Sequence, residues 1–445
     1  MWVVLGSMRG TDARMSIVDA EYVRALPQKD SSGIDTSHLA PGLTPPTNKW
    51  FSGIALQEES KAVFPLPLSF LPGNSMFQMS LPDVTTTDKA ILGVHIPQLQ
   101  VNIIEATRYT VTRYDELSVD LTYWSDEQPL GVVTLSAGSP YVFLRAERDM
   151  KLHMTAPQAT VTDTYAKIPT SKSATVLRGF SGAAFTQVGQ ELSVTATKGS
   201  LVTLYALPDG APDALAQYAG NPVTATHVTH HMSGSANQTN IQIETANDKP
   251  TVMGLLPHQT GVDSGKPVVS YQTIYGELSM RAVDTLRFTT PKIDVTPSLD
   301  ASKLSAEQKA ALAETLRLDI QATKFTAVDT YFGGKELYRA AQLLDLAHQL
   351  GELRLADSVQ RKLSTAFDVW LASDGRSDQS FYYDSAVHGI VGATPSFGSE
   401  AFNDHHFHYG YFIYAASILA KYDANFLSWH QDSINLLVAD IANYR

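Results

Sequence analysis

The spacing of apolar residues changes once along the chain. From about Pro41 to Thr290 it has a period of two. In LSVDLTYW (Leu117 to Trp124), Leu117, Val119, Leu121 and Tyr123 alternate with polar neighbours, as in a half-buried strand. VVTLSAGSPYVFLRAE (Val132 to Glu147) reads as two strands around the turn Ala137-Gly138-Ser139-Pro140, and NIQIETAND (Asn240 to Asp248) alternates before ending in turn residues. Many short strands with frequent Gly and Pro predict a large β-sandwich.

After Pro297 the period becomes helical. LSAEQKAALAETLRLDIQATKF (Leu304 to Phe325) opens with Ser305 and Gln308 at capping-box spacing. KELYRAAQLLDLAHQL (Lys335 to Leu350) stops at Gly351, a C′ residue, and the next helix carries Leu355, Val359, Leu363, Ala366 and Trp370 on one stripe. These two predict an antiparallel helical hairpin, with further helices over Tyr411 to Tyr422 and Ser433 to Asn443. The pattern therefore predicts a multidomain β + α chain. An N-terminal extension (1–40) precedes a β-sandwich (41–255), a small linker domain (256–300) and a helical domain (301–445).

Composition narrows the function. At 445 residues, with 44% hydrophobic and 18% charged residues, the chain is globular and too long for one ordinary core. A net charge of -12 disfavours a nucleic-acid partner, and the absence of cysteine excludes disulfides and thiolate metal sites. No apolar run approaches the roughly 20 residues that span a bilayer. The start, MWVVLGSMRGTDARM, has neither a basic lead-in nor a small-residue cleavage site, and Met15 is an alternative start.

Chemistry concentrates in NDHHFHYGYFIY (Asn403 to Tyr414). One reading is a metal site, since Asp404 with His408, or His405 with His408, could face one ion from a helix; a third ligand is missing. A second is a structural polar network, demanding because three histidines and an aspartate would need partners. The third, favoured here, is a carbohydrate cleft. Sugars offer flat apolar ring faces and outward hydroxyls, which aromatic platforms and paired donors and acceptors recognise. Ten of the 34 residues from Phe381 to Tyr414 are Phe or Tyr, against 9% aromatic residues overall. Glycosidic hydrolysis needs one protonated and one ionised carboxyl. Asp404 is the natural acid, but Asn403 or Asp404 is expected to cap the following helix, and a helix N-terminus favours a carboxylate. Burial or a second carboxylate nearby is then required; Asp384, Glu400 and Asp329 are the in-chain candidates.

FNDHHFHYGYFIYAASILAKYD (Phe402 to Asp423) resembles the hallmark of glycoside hydrolase family 81, the endo-β-1,3-glucanases or laminarinases. PPTNKWFSGIAL (Pro45 to Leu56), GSPYV (Gly138 to Val142), LLPHQ (Leu255 to Gln259), YGELSM (Tyr275 to Met280) and YFGGKELYRAAQLLDLA (Tyr331 to Ala347) follow in the family's order, so the resemblance runs from about 41 to 443. It implies a β-sandwich, a small α/β linker domain and an (α/α)6 toroid, with the substrate cleft between sandwich and toroid. It implies inverting endo-hydrolysis of β-1,3-glucan with no cofactor, no nucleic-acid or membrane partner, and an extracellular location, although no signal peptide is visible. The family's acid maps onto Asp404 and its functional histidine onto His408. Tyr383, Asp384, His405, Tyr409 and Tyr411 map onto substrate contacts or cleft walls.

One departure matters. The family's general base is a Glu in a Glu-Ser-Ser-Ser-Glu-like motif downstream of the segment resembling INLLVADIAN (Ile434 to Asn443), whereas this chain stops at Arg445. A toroid of six hairpins needs twelve helices, and about five are legible after residue 300. The expectation is therefore a fragment with a partial (α/α)6 toroid, lacking the base. The exposed half of such a ring predicts poor solubility or oligomerisation. The alternative is a non-catalytic β-glucan-binding remnant. A lyase or metal-dependent enzyme acting on acidic polysaccharide would need a basic cleft, which the acidic composition disfavours.

Overall fold

The computed structural model describes residues 20–29, 33–259, 265–293, 295, 297–372, 374 and 377–442. The N-terminal start lies outside these residues, as do 260–264 of the expected linker segment. Seven α-helices are described: α1 (Ala20–Ala25), α2 (Ser52–Ala55), α3 (Ala306–Ala322), α4 (Thr330–Leu350), α5 (Leu353–Trp370), α6 (His405–Tyr422) and α7 (Phe426–Ile441). The chain divides into a strand-rich unit, Asp35–Lys292, and a helical unit made of Ile293–Tyr444 with the N-terminal segment through Ile34. Among the described residues, no helix is long and apolar enough to cross a membrane.

The strand-rich unit holds an eight-stranded and a six-stranded antiparallel sheet. The strand Ser118–Ser125 buries Val119, Leu121 and Tyr123, as its alternation predicts. The turn at 137–140 separates strands Gln128–Ser136 and Tyr141–Ala146, which pair antiparallel. One core draws Val111, Val133, Leu144 and Leu204 from the larger sheet and Phe70, Phe77, Leu152 and Val194 from the smaller. The segment 256–300 does not stand alone. Its strands Lys266–Thr273, Gly276–Val283 and Thr285–Pro291 place Tyr271, Leu278, Met280 and Phe288 in one core with Tyr141, Phe143 and Tyr205 of the eight-stranded sheet. Removing that shared apolar surface from water, worth about 1.5–3 kcal/mol per large side chain, joins the segment to the strand-rich unit.

In the helical unit, the expected capping box forms: Ser305 Oγ accepts from Gln308 N at 3.2 Å, and Gln308 Oε1 accepts from Ser305 N at 2.9 Å. Helix α4 begins earlier than its apolar pattern indicates, because Asp329 Oδ1 accepts from the N–H groups of Tyr331 and Phe332, both at 3.0 Å. It ends at Gly351, in the left-handed conformation (φ 76°) that a Schellman-type close requires. Two glycines let α4 approach its neighbours. A Cβ on Gly333 would lie 2.3 Å from the Trp370 ring, and one on Gly334 would lie 3.1 Å from His408 O. A two-stranded hairpin, Phe381–Asp384 with Gly389–Gly392, comes between α5 and α6. The N-terminal segment joins this unit: Leu26 lies in the helical core, and the Tyr22 hydroxyl bonds Ser433 Oγ at 2.5 Å.

Candidate active site

The site is built by the turn into α6. Phe397 (φ 53°), Gly398 (79°), Phe402 (61°) and Asp404 (56°) are left-handed, three of them non-glycine. Each non-glycine residue held there costs about 1–3 kcal/mol, so the surroundings must over-determine the path. They do. Asn403 Nδ2 donates to Phe397 O at 2.9 Å, and Asn403 N to Gly398 O at 3.1 Å. Phe402 packs beneath against Gly389, where a Cβ would stand 2.3 Å from its ring.

His405 anchors the other side. It is 5% exposed, with Nδ1 2.5 Å from Asp440 Oδ2 and Nε2 2.8 Å from Ser399 O. Asp440 Oδ1 also accepts from Ile390 N at 3.1 Å. Tyr409 is fully buried and donates its hydroxyl to Ile390 O at 2.6 Å. The cleft-wall roles expected of His405 and Tyr409 therefore meet an inward placement: both support the turn from within.

Asp404 is the residue this scaffold presents. It occupies the N-cap position of α6, as expected, but its left-handed backbone turns the carboxylate away from the helix amides, so no capping bond forms. It is half-buried, and no side-chain hydrogen bond engages it among the described residues. One turn on, His408 is 1% exposed with Nδ1 2.8 Å from Thr330 Oγ1. Burial, aided by nearby His405, pushes the His408 pKa below the ordinary imidazole value, against the opposing pull of Asp329 and Asp404. At neutral pH the ring is uncharged.

An aromatic wall adjoins His408. Tyr331 lies 5.4 Å from the His408 ring, 4.9 Å from Phe397 and 6.0 Å from Tyr411; Tyr338 continues the row at 5.5 Å from Tyr411. Phe397 and Phe332 are 59% and 50% exposed. Tyr411 thus stands on an accessible face. Tyr331, Phe332, Tyr338, Phe397 and Thr330 gather around His408 and Tyr411, a grouping that the sequence pattern does not predict. Their signal was the aromatic spacing of YFGGKELY and its approach to the histidine turn of α6, which sequence spacing alone does not reveal.

Two of the other candidate carboxylates, Asp384 and Asp329, are committed to backbone N–H groups. Asp384 is 1% exposed, and its Oδ1 accepts from Ala386 N at 2.9 Å and Val387 N at 3.0 Å, closing its own hairpin rather than facing outward. Asp329 caps α4. Glu400 is half-buried, and its Oε2 is buried without a hydrogen-bond partner. Tyr383 pairs through its backbone with Pro27 and Lys29, its ring against the helical core. Among the described residues, no three His, Asp or Glu side chains are placed to hold a metal ion.

The solved structure of a mutant glycoside hydrolase family 81 protein from Clostridium thermocellum shares the fold, with a TM-score of 0.81 at 24% identity over 94% of this chain and 62% of that one. Residues 303–445 match the model of the glycosyl hydrolase family 81 C-terminal domain. Two curated relatives, each named glucan endo-1,3-beta-D-glucosidase, extend the likeness. One from Acetivibrio thermocellus is 26% identical over 443 residues, covering 90% of this chain and 55% of its own length. One from Thermobifida fusca is 27% identical over 452 residues, covering 94% of this chain and 59% of its own. The chain thus spans somewhat over half the length of these relatives.

Proposed function

We propose that the protein acts on β-1,3-glucan of the laminarin type, as an endo-hydrolase working by inversion, with its helices forming part of an (α/α)6 toroid. Asp404 is the general acid that protonates the departing glycosidic oxygen. His408, held neutral against Thr330, orients the acid or the sugar beside it. Tyr411, with Tyr331, Phe332 and Phe397, offers the flat faces on which glucosyl rings stack. The relatives' names supply the substrate class. The observation that carries the reading is the state of Asp404: a half-buried carboxylate on a left-handed turn, with no side-chain hydrogen bond among the described residues, one helical turn before His408, whose ring adjoins that wall.

Inversion also needs a carboxylate to activate water, about 6.5–9.5 Å from the acid. Asp384 and Asp329 are occupied by backbone N–H groups, whereas Glu400 is half-buried and its Oε2 has no hydrogen-bond partner among the described residues. Water activation is therefore not assigned to Asp384 or Asp329. The same observation favours a second reading, glucan binding without cleavage. One assay separates them: reducing-sugar release from laminarin by the chain and by Asp404→Asn, alongside binding to insoluble β-1,3-glucan. Hydrolysis that the variant loses while still binding supports the acid; equal hydrolysis by both removes Asp404 from that role. Binding with no hydrolysis by either selects the non-catalytic reading.

A further inference from the structure

Asp404 precedes α6 and Asp423 follows it; with 18 residues, the helix separates the two ends by about 27 Å. Near the Asp423 end, α5 and α7 border a cavity of about 340 Å3 lined in part by Asp368, Asp423, Asn425, Trp429 and His430. Trp429 is 81% exposed. The other described tryptophans are placed differently. Trp370 is 1% exposed, while the half-buried Trp50 and Trp124 donate their indole N–H to Leu117 O and Thr110 Oγ1.

The side chains lining the cavity with this indole pack on one another. Phe426, 3% exposed, packs at 5.1 Å on Phe367 and at 5.2 Å against the His430 ring. His430 Nε2 lies 2.9 Å from Asp368 Oδ1. Asp423 Oδ1 accepts from Asn425 N at 3.0 Å. The rim thus offers an indole N–H, an exposed side-chain amide and carboxylate oxygens around one flat apolar face. Two carboxylates against a single imidazole repel an anion. A β-linked glucosyl unit fits instead: its axial C–H face lies on the indole, its equatorial hydroxyls donate to Asp368 and Asp423, and Asn425 can both give and accept.

We propose that Trp429, with Asp368, Asp423 and Asn425, forms a second saccharide-binding site that holds a β-1,3-glucan chain without cleaving it. The proposal rests on the β-1,3-glucan reading of the protein. Such a site tethers the molecule to polymeric substrate while Asp404 works at the opposite end of α6.

The test is co-sedimentation of the full chain with insoluble β-1,3-glucan, combined with tryptophan fluorescence during titration with laminarihexaose. Trp429→Ala should keep the wild-type thermal midpoint, because the side chain is exposed, and bind the solid about three- to tenfold more weakly. Trp429→Phe should retain most of the binding, and only proteins with Trp429 should show the sugar-induced change in emission. Asp404→Asn should match wild type in both readouts, which separates this site from the proposed acid. Unchanged sedimentation of Trp429→Ala overturns the second site while leaving the β-1,3-glucan reading intact. Failure of wild type itself to bind β-1,3-glucan overturns both.

Discussion

His405 Nδ1 stands 2.5 Å from Asp440 Oδ2, a buried pair joining the first residue of α6 to the last turn of α7. Because the other ring nitrogen meets Ser399 O, this pair carries the helix packing into the turn that ends at Asp404. Removing one partner leaves the other buried and unmatched. Asp440→Ala should cost about 3–5 kcal/mol of stability, measured by urea unfolding. It should also lower hydrolysis of laminarin by more than the unfolded fraction explains. A variant as stable as wild type would show that the pair does not hold the turn.

His408 makes a separate prediction, tied to pH. Burial holds its folded pKa below the unfolded value of about 6.5, so the unfolded chain takes up the proton first. Its contribution to stability is therefore fully present above about pH 6.5 and is lost as pH falls through the folded value. Replacing it by Gln should flatten the decline of the thermal midpoint in that window. Thr330→Val, which strips the ring of its partner, should cost about 1–3 kcal/mol and depress turnover with the substrate affinity little changed. Parallel loss of affinity would instead make His408 a direct sugar contact.

The buried carboxylate of Asp345 makes a prediction in more acidic solution. It accepts from Lys421 Nζ at 2.8 Å, the Tyr422 hydroxyl at 2.6 Å and Gln349 Nε2 at 2.7 Å, tying α4 to the end of α6. Burial alone would raise its pKa, but these donors outweigh it and hold the carboxyl below the usual aspartate range. The stability it adds is complete above the unfolded value of about 3.9 and disappears as pH drops through the lower folded value. Asp345→Asn should be less stable than wild type by about 1–3 kcal/mol near pH 7, and the two midpoints should converge in acid. A gap independent of pH would assign the loss to packing rather than charge.

Much of this architecture could be read from the sequence because it rests on short-range rules. The strand containing Val119, Leu121 and Tyr123, the Ser305–Gln308 box and the stop at Gly351 each follow from residues a few positions apart. Local rules place Asp404 at the cap of α6, where it lies, but they do not foresee its left-handed backbone. That conformation depends on Phe402 against Gly389 and on His405 against Asp440, contacts made by residues far apart in sequence. The inward turn of Tyr409 and the arrival of Tyr331 and Phe397 beside His408 are likewise products of packing. Residue type draws attention to this turn; tertiary contacts decide which of its side chains face solvent.

Phe397 tests whether strain is kept for function. Its φ of 53° is unfavourable for an aromatic residue, and it remains 59% exposed, so neither local conformation nor burial accounts for it. Asn adopts this backbone region more readily. Phe397→Asn should therefore keep or raise the thermal midpoint, despite losing contact with Tyr331. If the ring is a sugar platform, the variant should bind soluble laminari-oligosaccharides about three- to tenfold more weakly by calorimetry. Lower stability with unchanged affinity would make Phe397 a packing residue and move the platform to Phe332 and Tyr411. Gain in stability with loss of affinity is the pattern expected where a backbone is held in an unfavourable conformation to aim one side chain at a ligand.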